Sequence, residues 1–327
     1  MGRCWRNLAE DLKGIRVTAR NTIRALLLLA ALIVPAGARA ACVATAQAII
    51  PIRIIGASIV VPVEVNGIAA SFMLDTGADR SVVTPAAVQR LRLLRDQWVG
   101  TAMLGVGGGN GAHPNANPHS LTLGGVPLVR RTINHDNSLA VAVLPRARAG
   151  DQVLDGLLGR DFLSLFDLDL DMFGGSLTLY RVQDCAGRFL PWRRPYRAIP
   201  VVMMEQGHAL LLAVAVDGRP LRAMLDTGAN ASLLGRPGIV RMGLTPASLA
   251  SDPTDEVSGL GPRVITMRRH QFRSLRVGNQ TIDSPEIWVE PLLLSPPFVD
   301  MLLGADWLAG RRIWISYATQ QMFVAGP

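Results

Sequence analysis

The chain repeats itself. Met73-Leu74-Asp75-Thr76-Gly77-Ala78 returns as Met224-Leu225-Asp226-Thr227-Gly228-Ala229, 151 residues later. Six identical residues recurring in similar surroundings mark two copies of one supersecondary unit. A second apolar run follows each copy, Ser81-Val82-Val83 in the first and Ser232-Leu233-Leu234 in the second. Upstream, Ile59–Val65 leads into Asn66-Gly67, and Leu212–Val216 leads into Asp217-Gly218. Asn-Gly or Asp-Gly between alternating apolar runs is the strongest local signal for a two-residue β-hairpin. Gly67 and Gly218 share the 151-residue offset, so hairpin and motif repeat in register.

Past each motif comes a short segment ending at Leu93 or Leu244, then a glycine-containing loop. The first loop reads Leu104-Gly105-Val106-Gly107-Gly108-Gly109-Asn110-Gly111, the second Ser258-Gly259-Leu260-Gly261-Pro262. The last shared landmark is Asp155-Gly156-Leu157-Leu158-Gly159-Arg160-Asp161-Phe162-Leu163, matched 145 residues on by Asp300-Met301-Leu302-Leu303-Gly304-Ala305-Asp306-Trp307-Leu308. A terminal strand follows each, Asp167–Tyr180 and Ile313–Val324. Short strands divided by glycine turns, without a long helical period, predict an all-β chain of two tandem barrel-like domains. The expected boundaries are an N-terminal segment at 41–58, a first domain at 59–182, a linker at 183–206 carrying Pro191, Pro195 and Pro200, and a second domain at 207–327.

One carboxylate per copy suggests chemistry that needs two. Peptide hydrolysis requires a water to lose a proton as it attacks and an amide to gain one as it leaves. Two carboxyls sharing one proton can do both, because like charges about 3 Å apart cannot both ionise. Glycine after Asp-Thr allows the tight turn that brings two such loops together.

These residues resemble the retropepsin-like aspartic proteases of the pepsin superfamily, in a tandem single-chain, exported bacterial form. The resemblance rests on the two Asp-Thr-Gly-Ala loops, the glycine-rich loops and the Leu-Leu-Gly-x-Asp-(Phe/Trp)-Leu segments, and covers most of residues 59–324. It implies two retropepsin-like β-barrel domains pairing as a pseudo-dimer across a cleft. It further implies an aspartic-type endopeptidase in which Asp75 and Asp226 activate water while Thr76 and Thr227 brace their loops. Gly105 and Gly107, with Gly259 and Gly261, would belong to two flaps closing on the substrate. Neither a metal nor an organic cofactor is implied. Ala78 and Ala229 stand where pepsin-like enzymes usually carry Ser or Thr, as in the retroviral enzymes. Loss of that hydroxyl donor raises a carboxylate pKa, so activity is expected in weakly acidic to neutral solution.

The same resemblance implies an ion pair between Asp79 and Arg160, whose counterparts in the second copy are Asn230 and Ala305. Losing one member alone would leave an unpaired, partly buried charge; joint loss keeps each half consistent and makes the cleft asymmetric. Asp79→Ala is expected to destabilise more than Asn230→Ala. Neither flap has the tyrosine typical of pepsins, so substrate preference does not carry over. The expected partner is a peptide or protein substrate in extended conformation, bound to a monomer whose halves pair within the chain. A catalytically weak peptide- or protein-binding module of the same fold is the alternative.

The net charge of +8 does not point to nucleic acid, because residues 1–40 hold a net +5 of it and leave a mildly basic body. A basic stretch to Arg24, an apolar run from Ala25 to Val34, the breakers Pro35 and Gly37, and Ala38-Arg39-Ala40 form a leader of the secretory kind. The expectation is export to the periplasm or another extracytoplasmic compartment, with cleavage after Ala40. An uncleaved leader would make an inner-membrane anchor, the one route to a membrane. Cleavage removes Cys4 and leaves Cys42 and Cys185, which an oxidising compartment permits to pair; two free thiols remain open.

Other patterns read as ordinary structure. The Gly105–Gly111 loop has His113-Pro114 where a phosphate cradle needs a helix. Asp167, Asp169 and Asp171 lack the glycine and glutamate of a calcium loop and read as a strand. Histidines 113, 119, 135, 208 and 270 show no ligand spacing, and Arg193, Arg194 and Arg197 read as a solvated linker.

Overall fold

A computed structural model describes residues 42–129, 136–144, 148–149, 152–203, 209–259, 261, 263–290 and 298–326. The expected leader, with Cys4, lies outside the described residues, as do His135 and His208. Residues 42–327 form one compact unit.

The first repeat comprises β1 (Val43–Pro51), β2 (Arg53–Ile55), β3 (Ser58–Val65), β4 (Ile68–Leu74), β5 (Val82–Val83), α1 (Pro85–Arg90), β6 (Leu94–Gly105) and β7 (Gly108–Asn117). It continues through β8 (Leu121–Leu123), β9 (Val126–Pro127), β10 (Ala140–Val141), β11 (Arg148–Ala149), β12 (Gln152–Val153), β13 (Gly156–Leu158), α2 (Arg160–Leu163), β14 (Asp167–Asp171) and β15 (Ser176–Gln183). The second runs through β16 (Arg197–Ile199), β17 (Val201–Met203), β18 (Leu210–Val216), β19 (Arg219–Leu225), β20 (Leu233–Leu234), α3 (Arg236–Met242), β21 (Thr254–Val257) and β22 (Ile265–Gln271). It ends with β23 (Ser274–Val277), β24 (Gln280–Asp283), β25 (Glu286–Val289), β26 (Met301–Leu303), α4 (Ala305–Leu308), β27 (Arg312–Ser316) and β28 (Gln321–Ala325). No described helix is long and apolar enough to cross a membrane.

Local chemistry places the turns. Asn66 and Gly67 take φ of 51° and 76°, and Asp217 and Gly218 take 49° and 79°. Two successive positive φ values are what a tight hairpin requires, and these residues tolerate them. Thr84 caps α1 by accepting the Ala87 N–H at 3.2 Å, with Pro85 in the first turn. Gly243 ends α3 in the left-handed conformation at φ 69°.

Each repeat builds its own sheet, β10-β5-β13-β4-β3-β8-β9 in the first and β21-β22-β25-β20-β26-β19-β18-β23-β24 in the second. A third sheet joins them in the order β1-β15-β14-β27-β28-β16. At its centre β14 and β27, one from each repeat, run antiparallel from Leu168 opposite Ile315 to Asp171 opposite Arg312. Asp169 is buried there and held by both forks of Arg312, at 2.8 and 2.7 Å, and by the Trp192 indole at 3.0 Å. The acidic run Asp167, Asp169, Asp171 is therefore a strand of the joint.

Residues 183–206, expected as a linker, do more than connect. β16 pairs with β28 and β17 with β18, the same roles that β1 and β2 play against β15 and β3. Phe189, Trp192 and Tyr196 pack around the fully buried Trp314 and Phe323. The prolines punctuate the segment, but aromatic burial and edge-strand pairing hold it down. Arg193 and Arg194 are exposed, whereas Arg197 donates to the Gly326 carbonyl at 3.1 Å. Cys42 and Cys185 are joined in a disulfide that ties the start of β1 to the end of β15.

Candidate active site

β4 and β19 end at Leu74 and Leu225, and each hands its aspartate to the same place. The Asp75 N–H donates to the Leu158 carbonyl and the Asp226 N–H to the Leu303 carbonyl, both at 3.0 Å. The parallel pairings of β4 with β13 and β19 with β26 thereby extend by one residue. Asp75 Oδ1 then accepts the N–H groups of Gly77 and Ala78 at 3.0 and 2.9 Å. Asp226 Oδ1 accepts those of Gly228 and Ala229 at 2.9 and 3.1 Å.

The threonines cross over. Thr76 Oγ1 donates to the Leu225 carbonyl at 2.8 Å and accepts the Thr227 N–H at 3.1 Å. Thr227 Oγ1 donates to the Leu74 carbonyl at 2.8 Å and accepts the Thr76 N–H at 3.0 Å. All four bonds are buried, where a lost partner costs most. Glycine is the one residue that fits beside them. A Cβ on Gly77 would lie 2.4–2.6 Å from the Asp226 carboxyl atoms, and one on Gly228 2.5–2.7 Å from those of Asp75. Each carboxyl thus packs on the other loop's glycine, which brings the two side chains together.

Burial, followed by the nearby Asp226 charge, pushes the Asp75 carboxyl up to about 8 against the opposing N–H bonds of Ala78 and Gly77. Burial raises Asp226 as well, opposed by the N–H groups of Gly228 and Ala229 and by the hydrogen bond from Asp75. The pair holds one proton between them well above the ordinary carboxylate range, and that proton belongs to the pair.

A second ring of contacts holds the loops. Ser81 N–H and Oγ–H donate to the Asp161 carboxylate at 2.8 and 2.6 Å, while Ser81 Oγ accepts the Gly159 N–H at 2.8 Å. In the second repeat Ser232 Oγ donates to Asp306 at 2.8 Å and accepts the Gly304 N–H at 3.2 Å. These four residues were not singled out in the sequence, although their recurrence in register was visible there.

Arg160 and Asp79 form an ion pair, but its burial is lopsided. The Arg160 side chain is 3% exposed and that of Asp79 is 74% exposed. The acid expected to be partly buried lies at the surface, because the guanidinium is anchored elsewhere. Arg160 Nη1 donates to the carbonyls of Thr76 and Gly77, both at 2.8 Å, directly bracing the Asp75 loop.

The segments carrying Gly105, Gly107, Gly259 and Gly261 meet at their tips. Gly105 ends β6, and Gly107 turns the β6–β7 hairpin at φ 88°. The Gly261 N–H donates to the Val106 carbonyl at 2.8 Å, and the Arg263 N–H to the Gly107 carbonyl at 3.2 Å. A Cβ on Gly261 would lie 2.1 Å from the Gly107 carbonyl carbon, so this approach requires glycine. Val106 packs among apolar residues that include Ala229, and Met103 among those that include Ala78. Among the described residues no His, Cys, Asp and Glu cluster has the arrangement to hold a metal ion.

Two β repeats joined by a shared sheet, with an Asp-Thr-Gly loop from each meeting at the joint, define a tandem pepsin-like aspartic protease fold. The sequence model of the family described as "Aspartyl protease" matches residues 61–162 and 212–307, and the chain belongs to that family. Among solved structures, an aspartic proteinase from Irpex lacteus is similar at 13% identity over 87% of this chain and 97% of that one, with a TM-score of 0.49. A search of curated proteins gave no match.

Proposed function

We propose that the protein is an aspartic endopeptidase working through Asp75 and Asp226. The observation that carries the reading is the pair itself: a buried Asp226 and a half-buried Asp75, both raised in pKa, each held by its own loop and packed on the other's glycine. The ionised member takes a proton from a water as its oxygen bonds to the peptide carbonyl carbon. The protonated member supplies a proton to the amide nitrogen as the C–N bond breaks. Both proton transfers come from the dyad, so the reaction calls for no cofactor.

The substrate would lie extended beneath the β6–β7 hairpin and the β21–β22 loop, which act as flaps that part to admit it and close to exclude water. The retained proton supports activity toward neutral pH. We further propose an exported monomer, with the fate of the leader deciding whether it is released or anchored.

Digestion of a mixed peptide library across pH tests this with wild type, Asp75→Asn and Asp226→Asn. Wild type should cut and each single variant should lose essentially all turnover. A wild type that cuts at no pH, or variants that cut equally well, would transfer the fold to the binding-module reading.

A further inference from the structure

The pseudo-two-fold that equates the Asp-Thr-Gly loops also equates the strands flanking them, and at two positions the equation fails badly. β10 pairs in parallel with β5, Ala140 opposite Val82, while β25 pairs with β20, Trp288 opposite Leu233. The Ala140 N–H donates to the Ser81 carbonyl at 2.9 Å and the Trp288 N–H to the Ser232 carbonyl at 3.1 Å. Ala140 and Trp288 are therefore equivalent positions. So are Ala142 and Glu290, whose N–H groups donate to Val83 and Leu234 at 3.3 and 3.2 Å.

Ala140 and Trp288 belong to apolar clusters that reach the two Asp-Thr-Gly-Ala loops at Ala78 and Ala229. Ala140 shares a cluster with Val82 and Leu157, against which Ala78 packs; Trp288 and Ala229 pack against the counterpart cluster with Leu233 and Leu302. Ala78 and Ala229 are themselves donors to the two carboxylates. On the proposed function, an extended peptide crossing the dyad would present its side chains on one side of the scissile bond to one cluster and those on the other side to the other.

We propose that Trp288 is a specificity-determining residue that makes the two sides of the cleft unequal, an inference that rests on the proposed protease function. The repeat-one side, walled by Ala140 and Ala142, takes a large apolar side chain. Met103 of β6 and Leu144 pack in the same cluster as Ala140 and Ala142. Met103 is unbranched and able to give way, and it lies on the hairpin that must move when substrate enters. On the repeat-two side the indole fills the same space, leaving room for a small residue. Trp288 is also held in place. The Arg269 guanidinium lies 5.7 Å from its ring, and Arg269 is in turn paired with Asp255 at 3.1 Å and Glu286 at 3.7 Å. A homodimer of one repeat cannot have this difference; a fused pair can.

The test uses matched peptides differing only in the residue on one side of the cleaved bond, with kcat/KM measured for the full chain and for Trp288→Ala, Trp288→Leu and Ala140→Leu. Wild type should require Phe, Leu or Met on one side and Ala, Gly or Ser on the other. Trp288→Ala should raise kcat/KM for peptides with Phe or Leu on the small side by roughly ten- to a hundred-fold, with Trp288→Leu between. The preference on the opposite side should not move. Ala140→Leu should narrow the large side alone. Equal preferences on both sides in wild type, or Trp288 variants that fold by melting temperature yet shift both sides or neither, overturn the inference while leaving the protease reading standing. A library that wild type leaves wholly uncut removes both.

Discussion

Asp75 and its neighbours show how little of a side chain's behaviour is its own. An aspartate in water gives up its proton near pH 4, whereas burial and the Asp226 charge keep one on the pair up to about 8. Between those values the folded protein binds more protons than the unfolded chain, so stability is fully present below the ordinary carboxylate pKa and falls as pH rises toward 8. Asp75→Asn removes one of the two like charges. It should flatten the fall in melting temperature between pH 4 and 8, and melt higher than wild type at pH 8, while losing turnover. An unchanged slope would mean the pair is not what titrates. Arg160 and Asp79 call for different expectations than the resemblance implied. With Asp79 largely exposed, Asp79→Ala should cost at most about 1 kcal/mol. Arg160→Ala leaves the Thr76 and Gly77 carbonyls without their donor and should cost about 2–4 kcal/mol in urea unfolding. Equal costs would place the weight of the pair back on the acid.

At the scale of elements, the β6–β7 hairpin depends on contact with the other repeat. β6 and β7 form a two-stranded sheet, marginal alone, which the Ala116–Leu139 bridge ties to its own repeat at the base. Its tip is held by the Val106–Gly261 and Gly107–Arg263 bonds. Gly261→Ala introduces a methyl where the Gly107 backbone already lies. The tips should separate, and limited proteolysis should nick the 105–108 and 258–264 segments several-fold faster, with little change in melting temperature. Unchanged nicking would show that the tips do not hold each other. The two glycine loops were legible in the sequence, and the resemblance implied that they form flaps. That they would interlock was not, because nothing local in either loop encodes the position of the other.

For the whole molecule, the six-stranded sheet decides that the repeats act as one body. Arg312→Ala strips the buried Asp169 carboxylate of its bidentate partner. The cost should be about 3 kcal/mol, at the low end for such a pair because Arg312 is itself 37% exposed. Calorimetry should still show a single transition, since the broken contact spans both repeats; two separated transitions would show that each folds alone.

Much of this protein was written in its local pattern. Period-two apolar runs with Asn66-Gly67 and Asp217-Gly218 fix hairpins and their registers, because each depends on backbone conformation within a few residues, and the duplicated Asp-Thr-Gly-Ala fixes the number of repeats. The Ser81–Asp161 and Ser232–Asp306 ties also lay in register. Residues 183–206 read as a linker because prolines dominate locally, and only the packing of Phe189, Trp192 and Tyr196 on Trp314 and Phe323 made the segment part of the fold. Tertiary structure alone exposed Asp79 and buried Arg160. It alone made Ala140 and Trp288 equivalent, since β10 and β25 reach β5 and β20 from 58 and 55 residues away in the chain. Burial and long-range strand pairing are properties of the assembled chain, and no window of sequence contains them.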